Sequence, residues 1–324
     1  MRVSENSTLG TVRDTITKSR LKMNDLQKQN ATQKRINTPS DDPVGNAKLM
    51  TIRNETLDNK QFESNANLAK TFLNFTDTSL DEVTNLLVRA KELAIGQSSS
   101  ASNGPDSRIM VAEEIKHIQQ EVGAISNRKL GDRFVFSGYK TNTQPFDEQG
   151  NYHGDDGKIM VEVQKDVFVG MNLPGRDVFL GAPNAADKAQ AASPDAAQQV
   201  SPELAVQQQA ARAHDDIFRT LETLRVGLMT NDVDTIRSTL DPLEKIRDRV
   251  ITARAQVGAR LGGIENSENS MQKANGFNAE LQSNIEDADI IQVVSDMARE
   301  ETVLRASLQA SNKLIQPTLL DFLR

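Results

Sequence analysis

Catalysis needs nucleophiles, bases or metal ligands at workable spacing, and this sequence holds few of them. It has three histidines, His117, His153 and His214, and no cysteine. Without Cys there can be no disulfide, thiolate metal site or cysteine nucleophile. No histidine stands in an H-E-x-x-H pattern or has companions at metal-ligand spacing. His117 precedes Ile118 on a helical stripe and reads as a solvated flank rather than a catalyst. His153-Gly154-Asp155-Asp156-Gly157 resembles a calcium loop only in outline. It lacks the D-x-D-x-D-G order and the glutamate at the twelfth position, so a hairpin turn is the better reading. Gly258-Ala259-Arg260-Leu261-Gly262-Gly263 has neither the GK[ST] nor the preceding strand of a phosphate loop. Its glycines lie within an apolar stripe that continues to Ile264, which reads as close helix packing. No G-x-S-x-G elbow occurs. The expectation is a chain with no catalytic residue, no metal and no cofactor.

Composition narrows the partners. The chain has 324 residues, 38 basic against 45 acidic, and a formal net charge of −7. Nucleic-acid binding needs a basic face to neutralise phosphates, and no basic block occurs. The acidic balance also disfavours anionic membranes, and no run approaches the ~18 apolar residues that span a bilayer. The start, MRVSENSTLG, has no apolar signal region, so export would use another route. A Cys-free chain is indifferent to redox compartment and suits passage between compartments. Trp is absent and aromatics make up 4%, so the core must be aliphatic, which suits long helix contacts.

Helical periodicity runs from about Leu9 to Arg35 and breaks at Asn37-Thr38-Pro39-Ser40-Asp41-Asp42-Pro43. That stretch predicts a turn and a new helix, with Asp42 as N-cap and Pro43 at the first helical position. A long helical stretch follows to about Gly96. Val111, Ile115, Ile118, Val122 and Ile125 then mark a further helix. From Arg133 to Leu180 the pattern predicts strands at Phe134-Val135-Phe136, Ile159 to Val163, Val167-Phe168-Val169 and Val178-Phe179. A module that small must lean on the helices. Helical pattern returns from Ile217, is restarted or kinked at Pro242, and closes with a last stretch from Ile285 to about Gln316.

The division that follows is nested. Residues 1–36 and 285–324 form a terminal helical assembly domain, and 37–131 with 210–284 form a discontinuous helical bundle. Residues 132–182 form a small β domain, and 183–209 an Ala/Gln/Pro-rich linker or insertion. The fold class is mainly α with a small β insertion, arranged as an elongated rod.

The terminal stretches carry matching seams. Leu9, Val12, Ile16, Met23 and Leu26 follow alternating three-and-four spacing, broken at Ser19. Ile290, Val294, Met297, Leu304, Leu308 and Ile315 do the same, broken at Glu301 and Ser311. Such stripes pair as a coiled coil, with each other or with neighbouring subunits. The polar breaks leave little surplus over the entropy of ordering both helices, so the pair is expected to be loose in the monomer and to order fully on assembly.

The residues that punctuate these stretches carry a resemblance. Arg35-Ile36-Asn37-Thr38-Pro39-Ser40-Asp41-Asp42-Pro43 resembles the turn after the first helix of bacterial flagellin-type axial proteins. Arg133-Phe134-Val135-Phe136-Ser137-Gly138-Tyr139-Lys140-Thr141, with Pro145-Phe146-Asp147, resembles the entry to the β domain of the family's hook–filament junction proteins. Asp287-Ala288-Asp289, the last apolar stretch and Leu319-Leu320-Asp321-Phe322-Leu323-Arg324 resemble the flagellin C-terminal helix, and Val257-Gly258-Ala259-Arg260 fits the helix before it. The Pro-Ser-Asp-Asp-Pro form is closer to junction proteins than to filament flagellin. The resemblance implies a non-enzymatic structural subunit of a tubular layer between a preceding hook-associated protein and the flagellin filament. It further implies type III export, a chaperone on the C-terminal helix, and an extracellular location on the flagellum. The terminal helices would set the layer, and the outward β module would matter less. A minor flagellin is the alternative within the family, and an extracellular coiled-coil scaffold or adhesin the alternative outside it.

Overall fold

The structure, a computed structural model, describes residues 2–98, 104–181 and 216–315, with side chains described for 10–98, 104–181 and 216–311. The linker assigned to 183–209, His214 and the closing Leu319–Arg324 signature lie outside the described residues. The elements are α1 (Arg2–Thr32), α2 (Pro43–Gln97), α3 (Pro105–Ser126), β1 (Lys129–Leu130), β2 (Arg133–Phe134), β3 (Met160–Gln164) and β4 (Val167–Gly170). A π-helical turn (Arg176–Leu180) precedes α4 (Ile217–Met229), α5 (Val233–Ser238), α6 (Leu240–Glu286) and α7 (Ile290–Ile315). The fold is mainly helical with a small β insertion, as the sequence predicts. Two compact units result: Gln61–Met271, and Met1–Lys60 with Gln272–Arg324, so α2 and α6 each contribute to both.

In the central unit the later part of α2 and the earlier part of α6 face each other through apolar stripes, including Leu73, Leu80, Val83 and Leu87 with Ile246, Val250, Val257 and Ile264. Ion pairs flank these stripes. Arg254 reaches Asp77 at 3.1 Å and Asp81 at 2.6 Å, and Lys91 meets Glu244 at 3.1 Å. Exposed pairs of this kind are worth under ~1 kcal/mol each, so they tune the antiparallel register more than the stability. The α3 and α4 helices pack together, with Ile115, Ile118 and Val122 buried on one and Leu221, Leu224 and Leu228 on the other. Asp216 caps α4 through the Phe218 amide at 2.9 Å. Burial pushes its carboxyl above the ordinary range. Pro242 sits in the first turn of α6, where its missing N–H costs nothing, so it marks a restart rather than a kink.

The β module departs from the strand pattern. Its strands form two separate antiparallel hairpins: Lys129 pairs with Phe134, and Val161 pairs with Val169. Val135-Phe136 and Val178-Phe179, expected as strands, are not. Bends carry Phe136 inward, and Val178-Phe179 lies in the π-helical turn. The reason is an aromatic cluster that ladder geometry would not allow. Phe146 stands 5.2 Å from Phe179, 5.2 Å from Tyr152 and 5.4 Å from Phe218, while Phe136 meets Phe179 edge-on at 5.2 Å. Gly175 permits this approach, because a Cβ there would fall 2.8 Å from the Phe146 ring and 2.9 Å from the Phe136 carbonyl. Arg249 Nε then donates to the Val178 carbonyl at 2.8 Å, which a strand partner would otherwise satisfy. The module does lean on helices: Arg260 of α6 donates to the Gly170 and Asn172 carbonyls at 3.1 and 2.9 Å.

The glycines of α6 also differ from expectation. Nothing lies within 4 Å of a Cβ built at Gly258, Gly262 or Gly263. They face open space and are not points of close packing within the chain. Their neighbours Val257 and Ile264 occupy the buried stripe instead.

Candidate assembly surface and its turn

The terminal unit is built from α1, the start of α2, the end of α6, and α7. The α1 and α7 helices pack on each other. On α1 the contact face is the predicted stripe: Val12, Ile16 and Met23 are half-buried and Leu26 is buried. Ser19 is buried in line with them, so this polar break is part of the contact.

On α7 the face covered within the chain takes in only part of the predicted stripe. Val293 and Glu300 are buried, and Met297, Leu304 and Ser307 are half-buried. Ile290, Val294 and Leu308 remain 44%, 45% and 39% exposed. The face that α1 covers is therefore rotated from the centre of the apolar stripe by roughly 60°, at 100° per residue. Glu300 turns toward α1 and meets Lys22 at 3.5 Å, whereas Glu301 points away and pairs with Arg305. Leu9 and Ile315 lie on the helices, but their side chains are outside the described set. The two helices also differ in charge balance. Arg2, Arg13, Lys18, Arg20, Lys22 and Lys28 outweigh Glu5, Asp14 and Asp25 on α1, while on α7 Asp296, Glu300 and Glu301 are balanced by Arg299, Arg305 and Lys313.

The turn Pro39–Pro43 is organised by its two aspartates. The Asp41 carboxylate accepts from the amides of Asn37 and Thr38 at 3.0 and 2.8 Å and from the Thr38 hydroxyl at 2.6 Å. The Thr38 hydroxyl, with those amides, holds the Asp41 carboxyl below its ordinary value. Ser40 shares the Thr38 hydroxyl at 2.8 Å. Asp42 caps α2 by accepting from the Gly45 amide at 2.9 Å, and Pro43 begins the helix. Gly45 leaves room for this cap, because a Cβ would fall 2.5 Å from the Asp42 carboxylate and 2.8 Å from Ile36 Cδ1 and would displace both side chains.

Beside this turn, the chain entering α7 is tied to the chain leaving α1. Gln33, left-handed at φ 59°, accepts from the Ala288 amide at 3.0 Å, and Arg35 N donates to the Glu286 carbonyl at 2.7 Å. Asp289 then caps α7 through the Ile291 amide at 3.0 Å. The Glu286 carboxylate receives Lys34, Arg53 and Gln282. Burial alone would raise its pKa, but these three partners together bring it below the ordinary 4.5. Periodicity could not find Glu286, Lys34 or Arg53. The legible signal was the opposed pairs Lys34-Arg35 and Glu286-Asp287 at the two chain reversals.

The groups with chemical potential do not converge. His117 is exposed on α3, and His153 Nε2 sits 3.2 Å from an Asp147 oxygen on the surface. Hydrogen bonds from Asn151, with lesser ones from His153 and Gln149, hold the Asp147 carboxyl at about 2, too acidic for a base near neutral pH. The carboxylate of Asp155 accepts from Tyr139 and Gly157 amides and shapes the turn expected there. Among the described residues no group of three or more His, Asp or Glu could hold a metal ion, and no helix is long and apolar enough to cross a membrane. Open grooves of about 510 and 740 Å³ flank α3. Both arginines that line them are paired, Arg128 with Glu82 and Arg225 with Glu222.

Comparison with known proteins bears on this arrangement. Residues 3–141 match the family described as the bacterial flagellin N-terminal helical region. The chain is 24% identical over 305 residues to flagellar hook-associated protein 3 of Salmonella typhimurium, covering 90% of each. It is 26% identical over 308 residues to the Escherichia coli protein of the same name, covering 91% of each. Its fold matches that of a flagellar hook-associated protein from Vibrio parahaemolyticus, with TM-score 0.62, 17% identity, and coverage of 76% of this chain and all of that one. It also matches the flagellar junction protein FlgL from Legionella pneumophila, with TM-score 0.55, 17% identity, and coverage of 74% and 100%. The resemblance read from the turns is borne out: along nearly its whole length this chain is similar to flagellar hook-associated protein 3, with a flagellin-type helical region at its N-terminal end.

Proposed function

We propose that this chain is a structural subunit of the bacterial flagellum that joins the hook to the flagellin filament. The observation that carries the reading is the uncovered apolar strip of Ile290, Val294 and Leu308 beside the covered face of α7. A helix that spends its best apolar positions on solvent is built for a further partner. The similarity to hook-associated proteins supplies the setting. In this reading residues 1–36 and 285–324 are the assembly domain, which lies inside the terminal compact unit. The other domains are 37–131 with 210–284, 132–182 and 183–209, as read from the sequence.

Copies form a tubular layer, a preceding hook-associated protein lies on one side and flagellin on the other, and neighbours complete the burial of the terminal helices. The chain leaves the cell through the flagellar type III apparatus, escorted by a chaperone on its C-terminal helix, and acts outside the cell without catalysis.

Immunolabelling of intact flagella tests the role. Signal confined to the distal end of the hook supports it, and signal along the filament or over the cell surface refutes it. The flagellin-type match at residues 3–141 is the reason to keep a second reading, a minor flagellin. Long filaments grown spontaneously from purified protein would favour that one. Cell-surface label without flagellar label would favour a scaffold or adhesin.

A further inference from the structure

Glu286 ends α6, and its side chain is only 3% exposed. Lys34 Nζ lies 2.5 Å and Arg53 Nη2 2.7 Å from Oε1, while Gln282 Nε2 donates to Oε2 at 2.8 Å. The three partners come from the segment after α1, from α2 and from α6 itself. A carboxylate is expensive to bury, and an apolar side chain would pack at lower cost. What an ion pair with fixed geometry adds is direction, and direction matters at this position. Lys34 stands just past the end of α1, and Asp289 starts α7 three residues beyond Glu286. A slip of one residue at this crossing would turn α7 by about 100°. It would change which face of α7 meets α1, and with it the exposure of Ile290, Val294 and Leu308.

We propose that Glu286 is a positioning residue for assembly: its clamp on Lys34 and Arg53 fixes the register of α7 against α1 and so decides which apolar face is offered to the next subunit. This rests on the assembly reading above. The clamp acts with the backbone ties at Arg35 and Ala288, which alone would hold the strands of the crossing but not the orientation of α6 against α2.

The natural absence of Cys makes register measurable by crosslinking in the full-length chain. The pair Lys22→Cys/Glu300→Cys, bridged by a short bismaleimide in place of the 3.5 Å Lys22–Glu300 side-chain contact, should crosslink readily, and Lys22→Cys/Glu301→Cys should not. Adding Glu286→Gln, which keeps size and removes charge, should lower that preference at least tenfold and lower incorporation at the hook tip to a similar degree. Adding Glu286→Asp should retain most of both. Incorporation of the Cys-free protein should fall with pH through the carboxylate range, and the Gln variant should lack that dependence. Should Glu286→Gln fail to fold by circular dichroism, Arg53→Gln removes one arm of the clamp and carries the same expectations. An unchanged crosslinking preference overturns the clamp. A lost preference with normal incorporation overturns its role in assembly. If the native chain never reaches the hook tip, the assembly reading fails, while the crosslinking ratio still judges the register.

Discussion

The two units of this molecule solve the packing problem in opposite ways. The central unit buries large apolar side chains completely: Phe136, Phe146, Phe179, Leu221 and Leu224 are among its least exposed. The terminal unit buries Ser19, Glu286 and Glu300 while leaving Ile290, Val294 and Leu308 in water. One closes a large aliphatic and aromatic core within a single chain. The other is arranged so that stability and association draw on different residues, and a substitution can touch one without the other.

The largest effect should come where that separation is cleanest. Leu308→Glu should abolish incorporation at the hook tip, yet shift folding stability by under ~0.5 kcal/mol, as exposed substitutions do. Leu304→Glu, half-buried against α1, should lose both incorporation and terminal-helix protection in amide exchange. Equal behaviour of the two variants would break the contrast. In the central unit, Phe146→Ala should cost about 3–5 kcal/mol, read from urea unfolding, because it empties the centre of the aromatic cluster. Acid should then discriminate between the units. The Glu286 pKa is lowered on folding, so its contribution is complete above 4.5 and is lost as the pH falls below that value. Protection factors for the Arg35 and Ala288 amides should therefore fall in acid before those in the core of α3 do. The smallest effect should be a gain. Gly258→Ala meets open space in mid-helix and should stabilise the chain by roughly 0.5–1 kcal/mol in a thermal melt. If Gly258→Ala left stability unimproved but blocked assembly, the open glycine face would be an intersubunit contact.

Periodicity made the helices legible because each buries one stripe against one neighbour. The α1 seam and the Asp42-Pro43 start of α2 follow directly from residue type and spacing. Where position depends on a distant group, the pattern failed. Val178-Phe179 alternates like a strand, but its carbonyls are met by Arg249, seventy-one and seventy residues away in sequence. Gly258 and Gly262 carry helix-contact spacing, yet their side of α6 faces solvent. The β module leans on the helices as its small size demands, because Phe146, Val163 and Phe179 share one core with them. Deleting 140–180 would open that core. Of the predicted α7 stripe, α1 covers Met297 and Leu304 but not Ile290, Val294 or Leu308, because hydrophobicity alone cannot say which part of a wide apolar sector a given partner covers. The clamp at Glu286 and the cap at Asp289 decide that.

The tie between the two chain reversals also sets a timetable. Lys34 and Glu286 are 252 residues apart in sequence, so α1 has no mate until nearly all of the chain exists. At the usual ~5–20 residues per second of synthesis, that wait is about 10–50 s. Contacts so remote in sequence are slow to close, whereas the hairpins and the α4–α5 corner of the central unit join neighbours. Those local pieces can therefore form first, with the remote pairings of α2 with α6 and of α1 with α7 coming last. For tens of seconds in each molecule's life, α1 is a solitary basic amphipathic segment available to whatever else in the cell would bind one.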